Sequence, residues 1–260
     1  MSFSGMVKEE LSRQIGLARH CKMAELAAIL CSCGKMECFS GDSKLKIQTE
    51  NEAVARKCFT LLQKTFNIET KIFVRENSHL KRVKVYTIEI TDPEEIQVIF
   101  QALRLVTNSI DQGTLVLSDM LVVQQNCCKR AFIRGAFLAS GSISDPEKGY
   151  HFEIVCSDAK RAEQLQTIIR SFSVDAKIVQ RKKSHVVYVK EGAQTVDMLA
   201  VMDANVALLD LENIRILKEM RNSVNRKVNC ETANINKTVN AAVKQMEDIK
   251  LVRQKIGFEQ

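Results

Sequence analysis

Proline is scarce in this chain: Pro93 and Pro146 are the two among 260 residues. Long helices can therefore run without their commonest breaker, and a sizeable helix-rich core is expected. No apolar stretch approaches the roughly 20 residues that cross a bilayer, and mean hydropathy is -0.11. The opening residues Met1–Glu10 turn acidic before the apolar core of a secretion signal could develop. A cytoplasmic protein with no membrane partner is expected. Cys-x-x-Cys spacing is absent too: of nine cysteines, Cys31 and Cys33 are one residue apart, Cys127 and Cys128 are adjacent, and the rest are scattered. His20, His79, His151 and His185 stand alone. Zinc sites are commonly built from short paired spacings that bring two ligands to one ion from a single turn. The expectation is reduced cysteines serving as small core residues, with no metal and no cofactor. No nucleotide-binding glycine loop, Ser/His/Asp order or haem motif is present either, so no catalytic residue is assigned.

The formal net charge is +7, and most of the surplus sits at one end. From Arg215 onward there are ten Lys and Arg against five Asp and Glu, whereas the first 214 residues carry 28 basic against 26 acidic side chains. A basic terminal segment is an electrostatic handle for polyanions such as nucleic acid, and equally a solvated helix face.

A repeat runs through the chain at a constant offset of 107 residues. Leu26–Gly34 aligns with Ile133–Gly141, each a helix of small and apolar residues ending at a glycine. Leu45-Lys46-Ile47 aligns with Phe152-Glu153-Ile154, alternating as half-buried strands do. Asn51 and Asp158 follow as matched N-caps, for helices over Glu52–Leu62 and Ala159–Ile169. Strands at Lys71-Ile72 and Lys177-Ile178, third strands near Val83–Ile90 and Val186–Lys190, and closing helices over Pro93–Val106 and Ala193–Met202 complete each half. Each half reads helix, strand, helix, strand, strand, helix. Beyond Asn205 a helical face continues to about Arg221. The Asn-rich, cationic run Asn222–Cys230 reads as a linker or hinge, and a further amphipathic helix covers about Thr232 to Lys255.

Small residues let two helices approach closely, and a glycine lets the chain turn out of each. This repeated motif resembles the central helix pair of LAGLIDADG homing endonucleases. In those proteins a carboxylate before each glycine holds the hard divalent ions that assist phosphodiester cleavage. Here the equivalent positions are Cys33 and Ser140, with Cys31 and Leu138 two places earlier. Thiol and hydroxyl are poor ligands for Mg²⁺, so no cleavage activity is expected.

Four segments resemble the bacterial WhiA family: Ser2–Leu11, Ala24–Ala27, Arg134–Leu138 and, most specifically, Arg221–Thr238. The likeness spans essentially the whole chain. It implies an α+β fold with two pseudo-twofold-related αββαββ-type halves, residues 1–110 and 111–221, followed by a helical segment. It also implies a sequence-specific DNA-binding regulator of transcription, tied to cell division and sporulation and associated with the nucleoid. Double-stranded DNA is then the expected partner, bound mainly through a C-terminal helix-turn-helix domain. Residues 222–260 would supply the basic linker and the first helix of that domain.

The scaffold's saddle of sheets could also meet DNA. Strand alternation places Leu45, Ile47, Ile72 and Val74 inward. It leaves Lys44 and Lys46, Lys71 and Arg75, Arg82 and Lys84, and in the second half Lys177 and Arg181, as outward candidates. Cations there equally protect strand edges or face a protein partner. In the C-terminal segment, Arg221, Arg226, Lys227 and Lys237 are the phosphate-contact candidates. The competing expectation is a protein- or ligand-binding sensing module that governs a separate DNA-binding domain.

Overall fold

The computed structural model describes residues 2–39, 42–77, 83–108 and 113–257. The first half opens with α1 (Phe3–Arg13), capped by the Ser2 hydroxyl, which accepts from the Gly5 amide. Phe3, Val7 and Leu11 repeat along one face of α1 and are buried. There follow α2 (Arg19–Cys33), β1 (Gly34–Phe39), β2 (Asp42–Thr49), α3 (Glu52–Phe66), β3 (Ile72–Asn77), β4 (Val83–Ile90) and α4 (Pro93–Leu103). The second half repeats them as α5 (Asn126–Ser140), β7 (Gly141–Ile143), β8 (Phe152–Cys156), α6 (Ala159–Arg170), β9 (Lys177–Arg181), β10 (Ser184–Val189) and α7 (Gly192–Val201). Between the halves lie a short hairpin, β5 (Leu105–Thr107) and β6 (Leu115–Leu117), and a single 3-10 turn at Leu121–Val123. The last helix is α8 (Asn205–Ile256).

Both main sheets are antiparallel, in the orders β1-β2-β4-β3 and β7-β8-β10-β9, so equivalent strands take equivalent places. Register fixes the faces. Leu45 pairs with Ile90, Ile47 with Ile88 and Ile72 with Ile88, and these turn toward the helices. In the second sheet Phe152, Ile154, Val187 and Val189 do the same. Asn51 accepts from the Ala53 amide at 2.9 Å, and Asp158 from the Arg161 amide at 2.9 Å, so the matched N-caps of α3 and α6 form as read.

Three expectations require correction. Each half contains a strand that begins at its motif glycine, β1 and β7, and that the order read from the sequence omits. Both lie at sheet edges and follow their helix directly, with no intervening loop to mark the change, and β7 is only three residues long. The helix expected over Pro93–Val106 stops at Leu103. Arg104 takes a left-handed conformation (φ 55°), and Val106 belongs to β5.

The Asn-rich run Asn222–Cys230, expected as a linker, is helical throughout. No proline or glycine interrupts 205–256, and asparagine costs at most about 0.7 kcal/mol per helical position against alanine. Polar side chains also bond along the helix itself. Thr238 Oγ1 donates to the Asn234 carbonyl at 3.0 Å, and Asn234 Nδ2 lies 3.8 Å from Cys230 Sγ. Gly257, at φ 60°, closes it.

The chain divides into two compact units, Met1–Leu211 and Glu212–Gln260. In the first, the start of α8 is held by Glu10, whose carboxylate accepts from the Val206 and Ala207 amides at 2.9 and 3.0 Å. The second unit is helical to Ile256, and its described side chains from Glu219 onward are exposed.

Candidate functional site

The centre of the first unit is the crossing of α2 and α5. Gly135 marks it: a Cβ there would fall inside contact distance of the Glu25 carbonyl oxygen and 3.0 Å from Ala28 Cβ. Ala28 and Gly135 are repeat equivalents, so the crossing point lies on the pseudo-twofold axis. The motif glycines play another part than the one expected. Gly34 (φ -89°) and Gly141 (φ -86°) are extended, a conformation open to any residue. What they provide is space, since a Cβ on Gly34 would stand 2.6 Å from the Leu30 carbonyl oxygen and 2.9 Å from Leu115 Cδ1.

A buried ionic cluster braces the crossing from one side. Glu25 receives Lys57 Nζ at 2.9 Å on Oε1, and Arg134 binds both its oxygens, Nε at 3.0 Å and Nη2 at 3.2 Å. Arg134 Nη1 continues to Asp203 Oδ2 at 3.0 Å, and Arg130 Nη2 reaches Asp203 Oδ1 at 2.6 Å. Lys57 also donates to the carbonyls of Leu11 and Gln14 at the end of α1. Burial pushes the Lys57 pKa down, with Glu25 opposing. Burial acts the same way on Arg134, but there the carboxylates of Glu25 and Asp203 win and its pKa rises.

At the C-terminal ends of the helix pair, Cys33 and Ala139 border one cleft, while Cys31, Ser32 and Ser140 border another of about 280 Å³. The two helix ends are thus neighbours, as the motif requires. Burial raises the Cys33 thiol to about 11 against the pull of Lys8, and raises Cys31 to about 11. Ser140 Oγ donates back to the Ala136 carbonyl at 3.3 Å. The Lys8 ammonium lies 5.8 Å above the Phe137 ring and is itself depressed by burial. Two neutral thiols and a hydroxyl turned to its own helix are poor ligands for a hard divalent ion, and the nearby cation adds repulsion. Glu50 and Glu52, at the junction of β2 and α3, line the same cleft as Cys33 and Ala139.

The open faces of the sheets carry most of the strand cations. Lys44 and Lys46 stand opposite Leu45 and Ile47, as alternation requires, but both are paired. Lys46 meets Glu37 at 3.1 Å, and Lys44 meets Glu89 at 3.3 Å. Lys71 and Arg75 share this face and are exposed. Lys35, opposite Lys46 on β1, joins them and was missed because β1 was missed. In the second sheet Lys177 and Arg181 are exposed, and Arg181 Nη1 meets Glu153 Oε2 at 2.9 Å. Glu153 also accepts from Ser142 and lies 2.9 Å from His151 Nε2. Burial pushes its carboxyl up, but the hydrogen bonds from His151 and Ser142 and the charge of Arg181 hold it below the ordinary value.

Two strand assignments need correction. Val74 keeps the helix-side register of Ile72, opposite Tyr86, but on edge strand β3 it is 52% exposed rather than buried. Lys84 lies in the register of Ile88 and Ile90, on the helix side of the sheet, and pairs with Glu76 at 3.7 Å. Arg82 lies outside the described residues. Arg221, Arg226, Lys227 and Lys237 are all exposed on α8 and have no ion pair among the described residues.

One constellation was missed altogether. At the opposite, N-terminal ends of α2 and α5, the ligand atoms of His20, Cys21, Cys127 and Cys128 all lie within 4.8 Å of one another. The signal was in the repeat: the 107-residue offset maps His20 onto Cys127 and Cys21 onto Cys128. Short-range spacing, the rule used to dismiss a metal, could not see ligands paired across two helices.

The chain matches three family models: the WhiA N-terminal LAGLIDADG-like domain over residues 19–106, the WhiA LAGLIDADG-like domain over 129–221, and the WhiA C-terminal HTH domain over 224–260. A relative from Lachnoclostridium phytofermentans, named probable cell division protein WhiA, is 55% identical over 260 residues, which cover 100% of this chain and 83% of that protein. The crystal structure of full-length DUF199/WhiA from Thermatoga maritima superposes with a TM-score of 0.71 at 21% identity, covering 99% of this chain and 81% of that one. The homing endonuclease I-DmoI, crystallised with its target DNA, shares the fold at a TM-score of 0.51 and 13% identity, over 71% of this chain and 96% of that one. With two LAGLIDADG-like halves joined at Ala28 and Gly135 and matches of this extent, the chain belongs to the WhiA family.

Proposed function

We propose that this protein is a non-catalytic DNA-binding regulator of transcription acting on genes of cell division and sporulation. Residues 1–110 and 111–221 form its scaffold, and 222–260 supply the basic approach to, and the first helix of, its principal DNA-binding domain. One observation carries the reading: a family HTH match over 224–260 follows a LAGLIDADG-like helix pair whose acid positions hold Cys33 and Ser140. The name of its 55%-identical relative supports the link to cell division. Phosphates are met first by Arg221, Arg226, Lys227 and Lys237, which carry no competing carboxylate partner among the described residues. Lys35, Lys71 and Arg75 on the open sheet faces form the second contact surface, joined by Lys177, which also lies 3.7 Å from Asp175. Lys44, Lys46 and Arg181 contribute less, because Glu37, Glu89 and Glu153 already hold them. The protein works at the nucleoid.

Fluorescence anisotropy of the chain on duplex DNA across a salt series tests this. Binding should weaken steeply with salt, and the double change Arg226→Ala/Lys227→Ala should lower the log-log salt slope by about 2. Supercoiled plasmid incubated with the protein and Mg²⁺ or Mn²⁺ should stay intact. Salt-independent binding or metal-dependent nicking would refute the proposal.

A second reading, that the scaffold is a sensing module, is favoured by the neutralised Lys44 and Lys46 and by the cavity of about 280 Å³ bordered by Cys31, Phe132, Ser140 and Arg161. If Lys71→Ala and Arg75→Ala leave DNA affinity and salt slope unchanged, the sheets serve another partner and this reading takes precedence.

A further inference from the structure

We propose that His20, Cys21, Cys127 and Cys128 form a binding site for one thiophilic divalent cation of the zinc class, which ties the first turns of α2 and α5 together. The four ligand atoms converge within 4.8 Å, and among the described residues no other group of three or more His, Cys, Asp or Glu side chains does so. His20 Nδ1 lies 3.1 Å from Cys128 Sγ, 3.4 Å from Cys21 Sγ and 4.0 Å from Cys127 Sγ. A tetrahedron with zinc–sulfur bonds of about 2.3 Å and a zinc–nitrogen bond of about 2.0 Å has edges of about 3.5 to 3.8 Å. The observed separations bracket that value, so an ion could be seated by side-chain adjustment alone.

The donor set is three sulfurs and an imidazole, which selects a borderline-soft ion over Mg²⁺ or Ca²⁺. Such a complex with three thiolates and a neutral imidazole carries one net negative charge. It would stand against the first turns of two helices, whose dipoles favour negative charge there. Neither helix start is otherwise served: Ala18 and Gln125, the capping residues of α2 and α5, make no side-chain cap hydrogen bond. Exposure also argues against simple core packing. His20 and Cys127 are exposed, whereas an ordinary structural cysteine such as Cys58 is buried. A cleft of about 190 Å³ lined by His20, Met23, Gln125 and Cys128 opens onto the group and gives an ion a way in.

The site obeys the same pseudo-twofold axis as the helix crossing, one His-Cys pair facing one Cys-Cys pair. It lies at the other end of 15-residue helices, and so about 20 Å from Cys33 and Ser140. The helix pair that has lost its hard-metal ligands at one end thus has soft-metal ligands at the other.

The experiment is titration of the reduced, metal-stripped full chain with Co²⁺ and then Zn²⁺, read by absorption spectroscopy and thermal melting. The wild type should take up one equivalent of Co²⁺ with the visible bands of tetrahedral cobalt and thiolate-to-cobalt charge transfer. Zn²⁺ should displace it and raise the melting temperature. Cys127→Ser should weaken uptake at least about tenfold and reduce the charge-transfer intensity by about a third. Its metal-free melting temperature should match that of the metal-free wild type, because Cys127 is exposed, which separates loss of the site from loss of the fold. Cys230→Ser, exposed on α8, should change nothing. Failure of the reduced wild type to bind, an octahedral spectrum, or uptake unaffected by Cys127→Ser would each overturn the proposal. So would isolation of the reduced-handled protein with a disulfide among Cys21, Cys127 and Cys128.

Discussion

Gly135 and Ala28 meet where the two halves of the scaffold cross, with no room for a methyl group on the glycine. In a solvent-exposed helix, Gly→Ala stabilises by roughly 0.5–1 kcal/mol. Here the added Cβ would press on the Glu25 carbonyl, a backbone atom that cannot swing aside. Gly135→Ala should therefore destabilise by about 1–3 kcal/mol, as overpacked cores do. Urea unfolding measures it, and a stabilised variant would mean that the helices are not so close.

The Glu25 cluster predicts an asymmetry between its members. Glu25→Ala removes the one carboxylate that Lys57 and Arg134 share, leaving Lys57 only the carbonyls of Leu11 and Gln14 and Arg134 only Asp203 as a counter-charge, and should cost about 3–5 kcal/mol. Lys57→Met removes one cation and leaves the bidentate Arg134–Glu25 pair in place, so its cost should be clearly smaller. Equal losses in chemical denaturation would contradict the geometry.

Acid sensitivity follows from Glu153. Its folded pKa lies below the ordinary value of 4.5, so the unfolded state binds its proton first as pH falls. The stability it contributes is complete above 4.5 and is lost as pH falls through the lower folded value. Glu153→Gln lacks this contribution. Its stability should fall less steeply than that of the wild type on acidification below 4.5, measured by urea midpoints at a series of pH values.

Thiol reactivity separates the cysteines. With Cys31 and Cys33 raised to about 11, their thiolate fraction at pH 8 is about one in a thousand. Exposed Cys230 should be alkylated by iodoacetamide well before either. Mass spectrometry of a timed reaction would show the order, and early modification of Cys33 would undermine its description as a half-buried neutral thiol.

The repeat, its N-caps at Asn51 and Asp158, the alternation around Leu45 and Phe152, and the presence of Cys33 and Ser140 before the motif glycines were all legible in the sequence. Each is a local pattern, or two local patterns at a fixed offset, and periodicity and capping chemistry act within a few residues. The length of α8 through its asparagines was less legible, because composition suggests a hinge where no residue actually breaks a helix. Edge strands β1 and β7 and the exposure of Val74 depended on neighbours that a single segment does not reveal.

Tertiary structure alone decided which side chains meet across the pseudo-twofold axis. It closed Glu25 on Lys57 and Arg134, set Glu37 and Glu89 against the strand cations, and gathered His20 and Cys21 with Cys127 and Cys128. Sequence fixes which residues share a face of one helix or strand. Contacts between residues about a hundred positions apart exist only once two helices cross at a particular point, and here that point is set by the missing side chain of Gly135.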